Sequence, residues 1–175
     1  MDNKTALLVI DLQNAYLPGN DWACNRILSV IKNIEDKIKN FPKNQIFFTR
    51  FIANSNPYGV WKEYNQKYSE INSNEYLNDY VKEIKKYITK DNSFDKSIYS
   101  SLGNKQLFEK LKDFDTIYVT GVVAECCVLS TIYGLIDIGK KVVYCKDAIA
   151  GEKEEKEKAT IEVLKGLSPL HIIFE

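Results

Sequence analysis

The sequence predicts an α/β fold, a three-layer α/β/α arrangement around a six-stranded parallel sheet in the Rossmann-like order 3-2-1-4-5-6. Two observations carry that expectation. Short runs rich in Val, Ile, Tyr and Phe alternate with stretches of helical periodicity along all 175 residues, the pattern of a parallel sheet covered on both faces. The strand runs are also continuously apolar, as central strands buried on two sides require.

The strand candidates are Ala6–Ile10, Gln45–Arg50, Tyr87–Lys90, Thr116–Thr120, Lys141–Cys145 and Leu170–Phe174. Between the first two, Ile27, Ile31, Ile34 and Ile38 keep one helical face. Leu77, Tyr80, Val81 and Ile84 do the same after an Asn72/Glu75 capping box. Further helices are expected near Lys105–Lys112, Val128–Ile138 and Glu154–Leu164, with Gly139, Gly166 and Pro169 as stop signals. The charged run from Glu152 to Lys158 reads as a solvated start of the last helix. Ile52 to Ile71 is the least regular stretch; with Tyr58, Trp61, Tyr64 and Tyr68 it is expected to form a substrate lid or a subunit contact.

Composition narrows the function. A chain of this length is expected to be one domain that buries roughly two-thirds of its unfolded surface. With 24 basic and 24 acidic side chains the formal charge is zero, which argues against nucleic-acid or membrane partners and favours a small-molecule ligand. The apolar run in MDNKTALLVID is too short for a signal peptide or membrane span, so a cytoplasmic protein is expected. The four cysteines lack zinc-ribbon spacing and are expected as free thiols. Cys24, Cys145 and Trp22 read as packing residues, and the single histidine, His171, as a structural residue of the last strand.

TIYVTGVVAECCVLST, Thr116 to Thr131, is the place for chemistry: an apolar strand breaks at Gly121 and restarts as an apolar helix, with Cys126 and Cys127 at the junction. Thiols there lie beyond the carboxyl end of a strand and at a helix start, a position expected to favour thiolate. Asp11 follows the first strand, and Lys96 follows the third in FDKSIYSSL. In the expected strand order, Asp11 and Cys127 face each other where the order reverses. A thiol nucleophile, a carboxylate proton carrier, a lysine and helix-start amides are the parts amide hydrolysis needs. Arg50 is expected in a structural salt bridge, and Gln13 and Asn14 in satisfying loop backbone groups.

These residues carry a family resemblance. VIDLQNAY (Val9–Tyr16), DKSIYSSL (Asp95–Leu102), GVVAECCV (Gly121–Val128) and KVVYCKDA (Lys141–Ala148) resemble, in order, the motifs of the isochorismatase-like cysteine hydrolases. Leu102 stands where that family usually has Phe. The resemblance implies a catalytic triad of Asp11 as general base, Lys96, and Cys127 as nucleophile, the cysteine that directly precedes the valine. It implies a cis peptide between Val122 and Val123, and an oxyanion hole from the backbone of Val123 and Cys127. Tyr16, Trp61, Tyr64 and Cys126 are the expected substrate-binding residues. A homo-oligomer, dimer or tetramer, is also implied.

Nicotinamidase-type members of that family carry a metal site with a D-x-H motif after the second strand. Here Phe51 and Ala53 occupy those two positions. No metal and no cofactor are therefore expected. The expected activity is metal-independent cleavage of a C–N bond in a small amide, ureido or carbamoyl compound through a thioester. The alternatives are a nicotinamidase/pyrazinamidase-type amidase with an atypical metal site, and a catalytically silent ligand-binding or redox-sensing homologue.

Overall fold

The computed structural model describes residues 4–175. Its sheet consists of β1 (Thr5–Ile10), β2 (Ile46–Phe51), β3 (Ser93–Lys96), β4 (Thr116–Val122), β5 (Lys141–Ala150) and β6 (Ile172–Phe174). All neighbours pair in parallel, in the order β3-β2-β1-β4-β5-β6. The expected six-stranded, doubly wound sheet is thus the observed one.

Period-two alternation divides β1 between two cores. Leu7 and Val9 face a cluster with Ile27, Val30, Ile31, Ile34 and Ile38 of α1 (Ile27–Ile38), whereas Ala6, Leu8 and Ile10 face the other side. That second cluster is built with Leu107 and Leu111 of α6 (Lys105–Leu111), Ile132 and Leu135 of α7 (Leu129–Asp137) and Leu164 of α8 (Glu154–Lys165). From Ala6 to Ile10 no side chain is exposed. Burial of each Val, Leu or Ile contributes about 1.5–3 kcal/mol, so this strand anchors both layers.

The third strand differs from the expectation. Tyr87–Lys90 is a turn: the Tyr87 amide donates to the Ile84 carbonyl, and Asn92 clamps the segment, its Oδ1 accepting from the Thr89 amide and its Nδ2 donating to the Tyr87 carbonyl. β3 follows at Ser93–Lys96, pairing with Phe48–Phe51. It is an edge strand that buries Phe94 and Lys96 and exposes Asp95, so it lacks the continuous apolar run of its neighbours.

The helix expected across Leu77–Ile84 is two short pieces, α4 (Glu75–Asn78) and α5 (Lys82–Lys85). Between them the chain is extended, and Tyr80 bridges Gln13. The Asn14 amide donates to Asp79 O, and the Val81 amide to Leu12 O. Tyr80, Val81 and Ile84 are buried as the periodicity implied, but tertiary bonds to the loop after β1 override helix propensity. The cap of α4 is Asn74 rather than Asn72, its Oδ1 accepting from the Leu77 amide at 3.1 Å. The Ile52–Ile71 stretch holds α2 (Trp61–Lys67) and α3 (Ser69–Asn72). At the other edge, β5 runs on past Cys145 with a register irregularity opposite Val119–Gly121. β6 starts after Leu170, which is 82% exposed, and His171 lies just outside it on the surface.

Gly121 is where β4 meets the end of β1. Its φ is +106°, and a Cβ added there would lie 2.0 Å from the Ile10 carbonyl oxygen. Neither the dihedral nor the backbone contact admits a side chain. Gly121→Ala is expected to destabilise the protein by at least about 3 kcal/mol, read as a loss of soluble protein or a large drop in the urea midpoint. A midpoint near wild type would show that the β1–β4 crossing can relax.

Candidate active site

Three strands deliver the site. β1 ends at Ile10, and Asp11 then takes a positive φ of 49°, a left-handed conformation that Asp tolerates better than most residues. Its amide donates to the Thr49 carbonyl at 3.0 Å, while the Thr49 hydroxyl donates to its Oδ1 at 2.8 Å. Thr49, buried within β2, thus fixes the carboxylate; no sequence motif had pointed to it. Lys96 is the last residue of β3 rather than part of the loop beyond. Cys127 sits in a π-helical turn, Ala124–Val128, that leads from β4 into α7. Wide turns of this kind recur at functional sites. The Val122–Val123 peptide that precedes it is cis.

The three side chains meet. Lys96 Nζ is 2.7 Å from Asp11 Oδ2 and donates to Cys127 Sγ at 3.4 Å and to the Ile98 carbonyl at 3.0 Å. The Asp11 and Lys96 side chains are both fully buried, and Cys127 is 4% exposed. A buried ion pair is held by its mutual attraction against a desolvation cost of several kcal/mol per ion, so neither partner is dispensable. Further bonds position the surroundings. The Thr131 hydroxyl donates to the Cys127 carbonyl at 2.7 Å and accepts from the Ser101 amide at 2.9 Å, tying the loop after β3 to α7. Gln13 donates to the carbonyls of Phe51 and Asn78 and accepts from the Phe51 amide, the backbone role expected of it.

Electrostatics alter one expectation. Burial pushes the Cys127 thiol up to about 12; the Lys96 ammonium pulls it back, and the Asp11 carboxylate adds to the rise. Burial thus works against the thiolate that its place at a helix start favours. Desolvation alone would lower the Lys96 pKa, but the Asp11 carboxylate beside it outweighs that, and the ammonium is held above its ordinary value.

In front of Cys127 opens a cleft of about 290 Å³. Tyr16, Tyr64 and Cys126, the residues expected to bind substrate, are among its lining. Trp61 does not; it stands behind, edge-on to Tyr64 and Tyr99 with centroids at 5.2 and 5.1 Å. Trp22 and Cys24, expected only to pack, are lining residues, with Trp22 stacked on Tyr16 at 5.8 Å. Tyr68 of the expected lid and Val123 also line it, as do Phe51, Tyr99, Asp21 and Glu125, which were not singled out for it. Glu152 and Lys156 also reach it, so the charged run is not wholly a solvated face. Its Glu157 is buried, accepting from the Gly151 amide and paired with Arg26 at 2.9 Å. Arg50 forms the expected salt bridge, bidentate to Asp95 at 2.6 and 3.2 Å.

Neither of the two positions where metal ligands would fall offers one. Phe51 offers an aromatic ring, 3% exposed and edge-on to Trp22, and Ala53 offers no donor. Among the described residues, no group of three or more His, Cys, Asp or Glu side chains is placed to hold an ion. Nor, among those residues, is any helix long and apolar enough to cross a membrane.

Comparison with known proteins places this geometry in context. The family model of the isochorismatase domain matches residues 5–170. A search of curated proteins finds no match. Among solved structures, an isochorismatase family protein from Desulfovibrio vulgaris superposes with a TM-score of 0.80 at 15% identity, over 99% of this chain and 94% of that one. The pyrazinamidase of Pyrococcus horikoshii, solved in complex with zinc, gives 0.77 at 20% identity, covering 98% of each chain. N-carbamoylsarcosine amidase from Thermoplasma acidophilum gives 0.75 at 16% identity, over 98% of this chain and 95% of that one. At these identities the likeness is one of fold.

Two outcomes are expected from the burial of these groups. Lys96→Met, which strands the Asp11 carboxylate, should cost about 3–5 kcal/mol, and adding Asp11→Asn should recover part of that loss. Chemical denaturation of the single and double variants measures both; an unaffected single variant would contradict the desolvated pair.

The second outcome concerns alkaline pH. Burial raises the folded-state pKa of Cys24, Cys127 and Cys145. The unfolded chain therefore releases these protons first, near pH 8.5, and stability is complete below that value and declines above it. Between roughly pH 8.5 and 9.5 the loss should be about 1 kcal/mol for each thiol, seen as a falling urea midpoint. A flat profile would mean the thiols ionise in the folded protein.

Proposed function

The chain belongs to the isochorismatase family, and from that premise we propose a metal-independent cysteine hydrolase that cleaves a C–N bond in a small amide, ureido or carbamoyl compound. One observation carries the reading: a carboxylate and a thiol share one buried ammonium, at 2.7 and 3.4 Å, and the thiol lines a cleft. A site used only for binding has no need of that costly arrangement.

In this mechanism Asp11 is the general base and Cys127 the nucleophile. As the substrate carbonyl settles over the thiol, the Sγ proton passes to Asp11 and Sγ bonds to the carbonyl carbon. Lys96, fixed between the two, stabilises the sulfur as charge develops and holds the Asp11 carboxylate in place. The tetrahedral oxyanion is received by the backbone amides of Val123 and Cys127. Asp11 returns the proton to the departing nitrogen as the C–N bond breaks, leaving an acyl thioester. A water then gives a proton to Asp11 and attacks the thioester; collapse expels the sulfur, which recovers the proton.

A high resting thiol pKa is compatible with this sequence. The proton moves only when the substrate excludes water and the oxyanion donors are engaged, so no standing thiolate is exposed to oxidants. Tyr16, Tyr64 and Cys126 shape the wall against which the substrate lies.

The test is ammonia release from a panel of amides, ureides and carbamoyl compounds. Wild type is expected to hydrolyse a member of the panel, with Cys127→Ala and Asp11→Asn each slower by roughly 10³-fold or more. Turnover retained in Cys127→Ala would refute the covalent route.

A further inference from the structure

The walls of the cleft carry information about the substrate beyond the bond to be cut. Six aromatic rings line it: Tyr16, Trp22, Phe51, Tyr64, Tyr68 and Tyr99. Apart from the Tyr16–Trp22 stack they meet at steep angles, Trp22 at 74° to Phe51 and 67° to Tyr68, and Tyr64 at 89° to Tyr99. Rings set edge to face turn π-faces in several directions, and each face carries negative quadrupolar charge.

The charged groups of the lining point the same way. Asp21, Glu125 and Glu152 contribute carboxylates, and Lys156 is the one lysine or arginine among the described lining residues. Lys156 is engaged, bonded to Glu152 and 3.9 Å from Glu125 Oε1. Glu125 Oε1 also accepts the Glu152 amide at 3.1 Å, whereas its Oε2 is buried with no hydrogen-bond partner among the described residues. That oxygen is packed against Gly151, so what Glu125 offers the cleft is its charge and not a free hydrogen-bond acceptor. The Lys96 ammonium does not cancel this field: it is paired with Asp11 and lies 5.5 Å from the centroid of the Phe51 ring.

Each kind of substrate arm fares differently here. An anionic arm would meet Asp21 and Glu125 and find Lys156 already engaged. A neutral apolar arm would pack on the rings and leave the Glu125 charge uncompensated. A small cation satisfies both, attracted by the ring faces and by the carboxylate in a partly desolvated space.

We propose that the substrate amide carries an alkylammonium arm, held between the aromatic walls and Glu125, which makes Glu125 the specificity-determining residue of the cleft. This rests on reading the cleft as the site of amide hydrolysis, and the experiment separates the two. Calorimetric titration of Cys127→Ala protein with betaine amide and with its neutral isostere 3,3-dimethylbutanamide measures preference without turnover.

The cation is expected to bind at least about 10-fold more tightly. Glu125→Gln, introduced into the same protein, should abolish most of that preference while its amide oxygen still accepts the Glu152 N–H. Equal binding of the two amides, tighter binding of the neutral one, no detectable binding of betaine amide, or a preference unmoved by Glu125→Gln each overturns the proposal. Ammonia release by wild type is scored separately. Cation-selective binding with no amide hydrolysed leaves the recognition standing and removes the hydrolase, and hydrolysis without cation preference does the reverse.

Discussion

The site depends on one desolvated interaction, the Asp11–Lys96 ion pair, buried with neither side chain exposed. Two opposite charges can persist there only if the strands that carry them end at matching heights and the remaining polar atoms are satisfied. The register supplies the first condition, since Phe51 at the end of β2 pairs with Lys96 and Ile10 at the end of β1 pairs with Gly121. Thr49 on Asp11 and the Ile98 carbonyl on Lys96 contribute to the second. A shift of one residue in any of these ladders would turn a charged side chain to the opposite face.

Gly121 connects that pair to the thiol. Only a residue without Cβ lets β4 approach the Ile10 backbone this closely, and the chain beyond it then turns through Val123 into the π-helical turn that presents Cys127. Thr131, one turn further on, joins this segment to the loop that follows Lys96. Three loops distant in sequence thereby share a rigid frame, as a site built to be held within fractions of an ångström requires.

The central sheet was legible because β1, most of β4 and the Val142–Cys145 stretch of β5 are buried on both faces and read as apolar runs. β3 was misplaced because an edge strand shows only alternation, and Tyr87–Lys90, more apolar than Ser93–Lys96, instead closes a turn beneath the core. The Asp11, Lys96 and Cys127 cluster could be anticipated because strand ends and motif order locate residues without knowledge of side-chain packing. The cleft wall could not. Phe51, Tyr68 and Tyr99 come from separate elements, and Trp22 is drawn into the wall through Tyr16 and Tyr68, contacts that have no local sequence signature. Glu125 and Lys156 were hidden differently, since a charged residue near a helix start looks the same whether it faces solvent or a cleft.

Thiol chemistry in this chain is governed by burial more than by charge. Cys24, Cys127 and Cys145 are each buried, and burial is the largest influence raising all three. What distinguishes Cys127 is its company: Lys96 lowers the cost of a charged sulfur, and Asp11 offers a destination for the proton. At Cys145 the opposing cation is Lys37, whose ammonium is already bonded to Glu175 at 2.9 Å. At Cys24 the neighbouring charges are carboxylates and Cys127, and all of them raise the thiol further. A raised pKa therefore does not mark a thiol as inert, because reactivity depends on whether the proton can leave along a hydrogen-bonded path while a fixed cation receives the charge. Of these three buried thiols, Cys127 is the one with a lysine ammonium bonded to its sulfur and a carboxylate beside it, and it is also the one at the floor of the cleft.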